Sequence, residues 1–581
     1  MNGTQALVLL GLAALVVELL RGRRSPAAVF ITVAFAFVLL DLVSIQKGLQ
    51  QLTNAGLVTV VVLLLLTVAL DKSRMLELLA ERLLRGSYRF ALLKIYVTTG
   101  VYSAFLNNTA VVASLVGPLR QTRTHAPSRL LLPMCFAASL GGILTLVGTS
   151  TNLLVNSLMI GRGMPSLHIF DLFPVGALIV LACGATMLLL YPRLLKDRPI
   201  EEEGANDYFL EASVRSDSPL VGRTVESAGL RRLSHLFLTE IVREGRVIAP
   251  VEPDHVVQAA DLLVFTGDLT RLDLLLQFEG LETRGQQYRL PLDNLVEVIV
   301  AAESPLVRRT LKEANFRAQF DAAVIAVRRG SERLRGPIAD VPLQVGDTLV
   351  LVVGQDFERR NNLARNFVVV HRKPVQKFTD PRKGWLVTAG FAAVIGLSAL
   401  GVVDFLKGLL VLLGLFLLFG FVTASELRRQ MPYQIIAIIA SALVISEVMV
   451  SSGAGEFLAR FLLVGADHFG SYGALALILL VTWLLTELMS NNAAAALAFP
   501  IALGVASQLG LEPQPFVMAV LYGASCSFLT PYGYQTNLMV MSPGRYTLAD
   551  FFRAGAPIAA VFLLVALWAI PVFFPFAAAG G

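Results

Sequence analysis

Long apolar windows with almost no charge recur along this chain, and no other feature restricts its fold as much. They cover residues 6–17 with their flanks, 27–40, 57–70 and 167–191, then 385–402, 408–424, 435–450 and 557–574. Coiled as helices and extended by their flanks, such windows reach across about 30 Å of hydrocarbon. Only 15% of the residues are charged, against roughly a quarter in a soluble globular chain, and the mean hydropathy is +0.68. The chain therefore reads as an α-helical polytopic membrane protein. The first window has no basic segment before it and no small-residue cleavage site after it, only Arg21, Arg23 and Arg24. It is expected to stay as a helix rather than leave as a signal peptide. The net charge of +6 belongs to loops, so no nucleic-acid partner is expected. Cys135, Cys183 and Cys526 lie in apolar stretches without metal-ligand spacing and read as buried filler.

Composition changes near Tyr191 and changes back near Lys383. Between them, short runs such as DLLVFTG (261–267) and DTLVLVVG (347–354) suggest strands in a soluble insert. SPLV at Ser218 recurs at Ser304, and the same shift of 86 carries Asp261 onto Asp347. Two copies of one α/β module are expected, over 205–285 and 290–372. The flanking halves, 1–195 and 384–581, repeat as well. Asn108 maps onto Asn491 with a shift of 383, Thr151-Asn152 onto Thr536-Asn537 with 385, and Asp171…Gly176 onto Asp550…Gly555 with 379. Basic residues at 21–24, 72–89, 120–129, 193–198, 373–383, 428–429 and 545–553 fall on one side if each half crosses five times. That count treats the NNT and SNN segments as re-entrant hairpins. An odd count inverts the second repeat, which is a transporter architecture. It also leaves the insert cytoplasmic and the protein in the plasma (bacterial inner) membrane.

Four polar words interrupt the apolar sequence. LNNTAVVA (106–113) and MSNNAAAA (489–496) put amides where a hairpin would turn inside the bilayer. GTSTN (148–152) and LTPYGYQTN (529–537) place Gly and Pro within long apolar segments and read as broken helices. Broken backbone survives at that depth only where it lines a polar cavity. Helix N-termini there offer N–H groups to an anion, while carbonyl and amide oxygens suit a hard cation. Ser103 and Thr486 stand five residues before Asn108 and Asn491, at a spacing that lets each hydroxyl join a sodium site. The plainer alternative is that the Asn pairs hold helices together by hydrogen bonds.

The hairpin words resemble the Ser-Asn-Thr signatures of the divalent anion:sodium symporter family, and GTSTNLL resembles its Gly-Thr-x-x-Asn break. The resemblance implies sodium as the coupling ion, a homodimer and an elevator-type movement. It implies one sodium site at Ser103, Asn108 and Gly148, and a second at Thr486, Asn491 and Gly533. Asn107, Thr109, Thr149, Ser490, Asn492, Thr536 and Asn537 would then face the substrate. Asn107-Asn108-Thr109 and a second word ending in Asn492 depart from the signature, and PYGYQTN lacks the paired prolines common in dicarboxylate carriers. GYQTNLM together with a large insert resembles the subgroup regarded as sulfate or inorganic-anion permeases. SPLVGRTV at Ser218 and Gly346-Asp347 resemble the C-terminal regulatory domain of TrkA-type potassium-uptake proteins, which implies dimerisation or a small regulatory ligand. No GxGxxG fingerprint accompanies them, so NAD or ATP binding has no support, and in the membrane domain no organic cofactor is expected.

Glu447 and Glu487 are the acids within membrane sequence, and Glu487 stands four residues before Asn491. Glu487 is a candidate coupling group. No enzymatic constellation is expected. The readings that stand are a sodium/divalent-anion symporter, with sulfate ahead of dicarboxylate, a cation/proton antiporter titrating Glu487, and a ligand-sensing membrane regulator.

Overall fold

Polar residues at the borders of the apolar windows decide where the helices begin. Ser25 Oγ accepts from Ala28 N with Pro26 at the first helical position, and Asp404 Oδ1 accepts from Lys407 N at the matching place in the second half. Ser44 caps onto Lys47 N, while Thr423 and Glu426 form a reciprocal capping box. The computed structural model describes the chain apart from residues 1, 22–23, 72–86, 121–124, 199–208, 231–235, 244–245, 249–250, 268–277, 284–294, 302–303, 330–331, 335–337, 355–356, 358–362, 372–380, 430, 464–469 and 579–581. Arg23, Arg123 and most of the basic residues of 72–89 and 373–383 lie outside the described residues.

Two units form. One comprises Met1–Asp197, Gln376–Val540 and Leu548–Gly581, and the other Arg198–Val375 with Met541–Thr547. The first half of the helical unit runs α1 (Gly3–Arg21), α2 (Pro26–Leu39), α3 (Ile45–Leu52), α4 (Ala55–Asp71), α5 (Tyr88–Ser103), α6 (Asn108–Arg120), α7 (Pro127–Gly142), α8 (Ser150–Gly161) and α9 (Phe173–Leu194). The second runs α10 (Pro381–Ala399), α11 (Phe405–Leu418), α12 (Ala424–Arg429), α13 (Tyr433–Ser451), α14 (Ala454–Leu463), α15 (Gly470–Leu488), α16 (Asn491–Leu509), α17 (Gln514–Ser525), α18 (Gln535–Met541) and α19 (Leu548–Phe573).

Among the described residues, 7 helices are long and apolar enough to cross a membrane. The protein is a polytopic membrane protein. Three details differ from the sequence expectation. The window at 408–424 yields a helix of only 14 residues, α11, because the left-handed turn at Gly420 ends it early. The window at 167–191 becomes helical only from Phe173, since Leu172 and the residues before it form turns. And α15 and α16 are each 19 residues long, enough to cross by length and composition, where a re-entrant hairpin is expected.

The expected breaks are present. Residues 143–149 separate α7 from α8, and residues 526–534 separate α17 from α18. Close packing surrounds both. A Cβ on Gly176 would sit 2.8 Å from the Ile143 carbonyl, so only glycine lets α9 lie against the first break; Gly555 of α19 lies against the Phe528 carbonyl in the same manner. Tyr522 Oη donates to the Leu172 carbonyl (2.8 Å) and Tyr191 Oη to the Ala554 carbonyl (3.1 Å), tying the halves together. Phe136 meets Phe528 edge-on with centroids 5.0 Å apart. The three cysteines are free and buried.

The second unit holds two five-stranded antiparallel sheets. Their strands are β1 (Phe209–Val214), β2 (Leu236–Arg243), β3 (Arg246–Ile248), β4 (Leu262–Gly267) and β5 (Leu281–Thr283), then β6 (Leu295–Val300), β7 (Ala322–Arg329), β8 (Glu332–Arg333), β9 (Thr348–Val353) and β10 (Phe367–His371). The orders β3-β2-β4-β1-β5 and β8-β7-β9-β6-β10 are the same path. Left-handed backbone recurs in step, at Gly222 and Arg308, Gly229 and Asn315, and Ala260 and Gly346. Leu220, Leu263 and Phe265 fill one core where Leu306, Leu349 and Leu351 fill the other. Arg243 clamps buried Asp261 with Nε and Nη2, both at 2.8 Å, and Arg329 clamps buried Asp347 at 2.9 Å. The strands at Asp261 and Asp347 are thus anchored identically.

Candidate functional site

Ser103 ends α5 and Asn108 begins α6, so the hairpin turn brings hydroxyl and amide together inside the protein; both are buried. One arm of the Asn108 amide lies 2.5 Å from Ser103 Oγ, 3.1 Å from the Gly148 carbonyl and 3.3 Å from the Ala138 carbonyl. The other arm is 2.9 Å from Tyr534 Oη. Which arm carries nitrogen is settled by the surrounding network. With nitrogen toward the carbonyls the amide donates to them. With oxygen there, four oxygens from hairpin, helix and break converge, and a cation among them resolves the clash. A Cβ on Gly142 would lie 2.7 Å from this amide, so the carbonyl-rich end of α7 can approach only as glycine.

The second half carries a similar cluster. Thr486 Oγ1 is 2.7 Å from Asn491 Oδ1 and 2.8 Å from the Ala524 carbonyl. One hydroxyl proton cannot serve two acceptors at once, so three buried oxygens share a single hydrogen. Gly533 packs so close that a Cβ there would be 2.6 Å from the Thr486 carbonyl. Hard oxygen donors from hydroxyl, amide and unwound backbone are the chemistry that holds sodium in broken-helix sites. The residues expected to form two sodium sites are therefore brought together in two separate groups.

Each break loop is stitched by an amide. Asn152 Nδ2 donates to the Gly142 and Thr145 carbonyls, and Asn537 Nδ2 donates to those of Ser527 and Thr530. Thr536 and Asn537, expected to face substrate, are both fully buried, and the Asn537 amide nitrogen donates to unwound carbonyls of the break. Thr145 donates to the Ala104 carbonyl, and Thr530 Oγ1 donates to that of Glu487 at 3.0 Å.

Other expected residues lie at the hairpin tips. Asn107 Oδ1 accepts from Thr109 N (2.9 Å), an Asx turn that starts α6. Ser490 is the exposed N-cap of α16. Asn492 Oδ1 accepts from Thr151 Oγ1 at 3.1 Å and from Ser150 Oγ at 3.4 Å, so the second hairpin touches the first break. Thr149 caps α8 and neighbours the Tyr534 phenol. Three helix N-termini, those of α6, α8 and α16, open at these residues, and no Lys or Arg enters the contacts just described.

Glu487 sits under the second break. Its Oε1 accepts from Phe528 N and Leu529 N, and its Oε2 from Thr530 N, all at 2.9 Å. Glu447 does not reach the site: it pairs with Arg162 Nη1 at 3.0 Å and Lys47 Nζ at 3.1 Å, which is the interhelical alternative for an intramembrane acid. Sequence reasoning missed Ser150 and Tyr534 as members of the site. The signal for Tyr534 was its place in GYQTN, where GTSTN has Thr149; Ser150 offered none.

Buried hydroxyl–amide clusters beside two broken helices, inside a bundle of membrane-length helices, define a transporter and not an enzyme. A family model described as citrate transporter matches residues 12–523. The chain is 31% identical over 568 residues to an uncharacterised transporter of Synechocystis sp., covering 92% of this chain and 91% of that protein. It is 27% identical over 615 aligned residues to an uncharacterised transporter of Escherichia coli, covering 99% and 100%. Sodium/sulfate cotransporter 1 of Chlamydomonas reinhardtii is 28% identical over 422 residues, 67% of this chain and 47% of that longer protein. The chain belongs to the citrate transporter family. It is a membrane transport protein rather than an enzyme.

Proposed function

We propose that this protein couples sodium entry to uptake of a compact divalent oxyanion, sulfate, across the plasma membrane. The observation that carries the reading is the pair of buried hydroxyl–amide clusters at Ser103–Asn108–Gly148 and Thr486–Asn491. A cation at each would draw hairpin and break together, and so orient the N-termini of α6, α8 and α16 toward an anion. Thr149, Asn107, Thr109, Ser490 and Asn492 would contribute hydroxyls and amides there, joined by Ser150 and Thr151. Because uncompensated N–H dipoles can hold a dianion without an ion pair, the described contacts, which no Lys or Arg enters, fit sulfate. The name of the Chlamydomonas sodium/sulfate cotransporters supports sulfate, whereas the family description favours a carboxylate such as citrate as the second reading.

The matched hydrogen bonds of Asn152 and Asn537, in a 385-residue register, support two inverted repeats that rock around the site in an elevator movement. A homodimer and a cytoplasmic position for the strand-rich insert, with TrkA-type modules that bind a small regulatory ligand, complete the reading. Labelled sulfate uptake into proteoliposomes tests it. An inward sodium gradient should drive accumulation and choline should not. Uptake indifferent to sodium, or proton flux without any anion, would sink it.

A further inference from the structure

Tyr534 has no counterpart of its size in the first half. In the 385-residue register that places Thr151-Asn152 on Thr536-Asn537, it stands where GTSTN has Thr149. Thr149 ends in a short hydroxyl at the N-cap of α8. Tyr534 instead sends a phenol out of the second break until its Oη lies 2.9 Å from the Asn108 amide, beside Thr149. Its neighbour Tyr532 is 64% exposed, so the inward course of Tyr534 is particular to that position.

The polar seats between hairpins and breaks are consequently unequal. Around Asn492, Ser150 and Thr151 the polar groups are short hydroxyls and one amide at the N-terminus of α8. Around Asn108 and the second break, an aromatic ring occupies the space that a threonine would leave free. We infer that Tyr534 determines substrate size: it fills the seat beside Asn108 and confines the anion to a single compact centre, shutting out dicarboxylates whose two charges need separated seats. This rests on the sodium-coupled anion reading above. A site that loses bulk gains a larger ligand, and the discrimination available from one filled subsite is about 10- to 200-fold.

The test is sodium-driven uptake of labelled sulfate and labelled succinate by proteoliposomes bearing wild type, Tyr534→Thr or Tyr534→Phe. The succinate-to-sulfate rate ratio should rise about tenfold or more in Tyr534→Thr and stay within about twofold of wild type in Tyr534→Phe, which keeps the ring. Tyr534→Leu, of intermediate size, serves if the threonine variant does not assemble, and its ratio should rise as well. An unchanged ratio in folded Tyr534→Thr, or an equal rise in Tyr534→Phe, overturns the inference. Wild-type succinate uptake as fast as sulfate uptake overturns it too, while leaving sodium coupling intact. Absence of sodium-dependent flux of either anion overturns the parent reading and this inference with it.

Discussion

Asn152 and Asn537 stand 385 residues apart and fill the same role, each amide nitrogen donating to two carbonyls, 10 and 7 residues before it, at the break that precedes its helix. In hydrocarbon such carbonyls have no water to turn to, so the amide is what makes the break tolerable. Asn152→Ala or Asn537→Ala should lower stability by about 1–3 kcal/mol each, since buried acceptors lose their donor. Thermal unfolding in detergent measures it. A melting curve like that of wild type for both variants would show that the loops close without these amides.

Asn108→Ala and Asn491→Ala should each weaken the response to sodium by about ten- to a hundredfold, through loss of a buried polar partner of about 1–3 kcal/mol. Ligand binding raises the melting temperature by mass action, so a sodium titration of unfolding reads this without any substrate. If both variants are stabilised by sodium like wild type, the amides serve as helix glue.

Glu487→Gln replaces one acceptor oxygen with a donor that faces a backbone N–H, so the contacts to residues 528–530 cannot all be kept. If Glu487 acts by holding the second break, uptake should fall by about ten- to a hundredfold while its profile against pH keeps the wild-type shape. A profile that flattens would instead mark Glu487 as the titrating group of a proton-coupled cycle.

Arg162 ends the segment after the first break and binds Glu447 and Ser446 of α13. Removing the carboxylate in Glu447→Ala leaves a largely buried guanidinium with less than its due of acceptors, at a cost of about 1–3 kcal/mol. In a double-mutant cycle the losses of Arg162→Ala and Glu447→Ala should be less than additive. Strictly additive losses would mean that the two side chains act separately.

In the strand-rich unit, Asp261→Asn and Asp347→Asn each break a bidentate pair whose carboxylate is fully buried and whose arginine is 27% or 33% exposed. Partial exposure of the arginine keeps the cost near about 2–3 kcal/mol, below that of a fully buried pair. The pairs lie in different sheets, so the two losses should add in the double variant. Limited proteolysis of the full chain reports both, and strong non-additivity would mean that the sheets unfold as one.

The amino-acid sequence by itself determined the membrane class and the four polar words, because each leaves a local mark. A charge-free window shows its length, a repeat shows its shift, and an amide in hydrocarbon betrays a partner even when that partner is unknown. Ser103 with Asn108 and Thr486 with Asn491 were legible for the same reason: five residues across a turn keep a pair together. What only the tertiary structure decided is which distant groups meet. Asn108 meets Tyr534 across 426 positions, Asn492 meets Ser150 across 342, and Arg162 meets Glu447 across 285. Asn537 donates to the carbonyls of Ser527 and Thr530, a pairing that the spelling of its motif does not announce. A hydrogen bond is won by the nearest donor in space, and packing of the helices sets that distance.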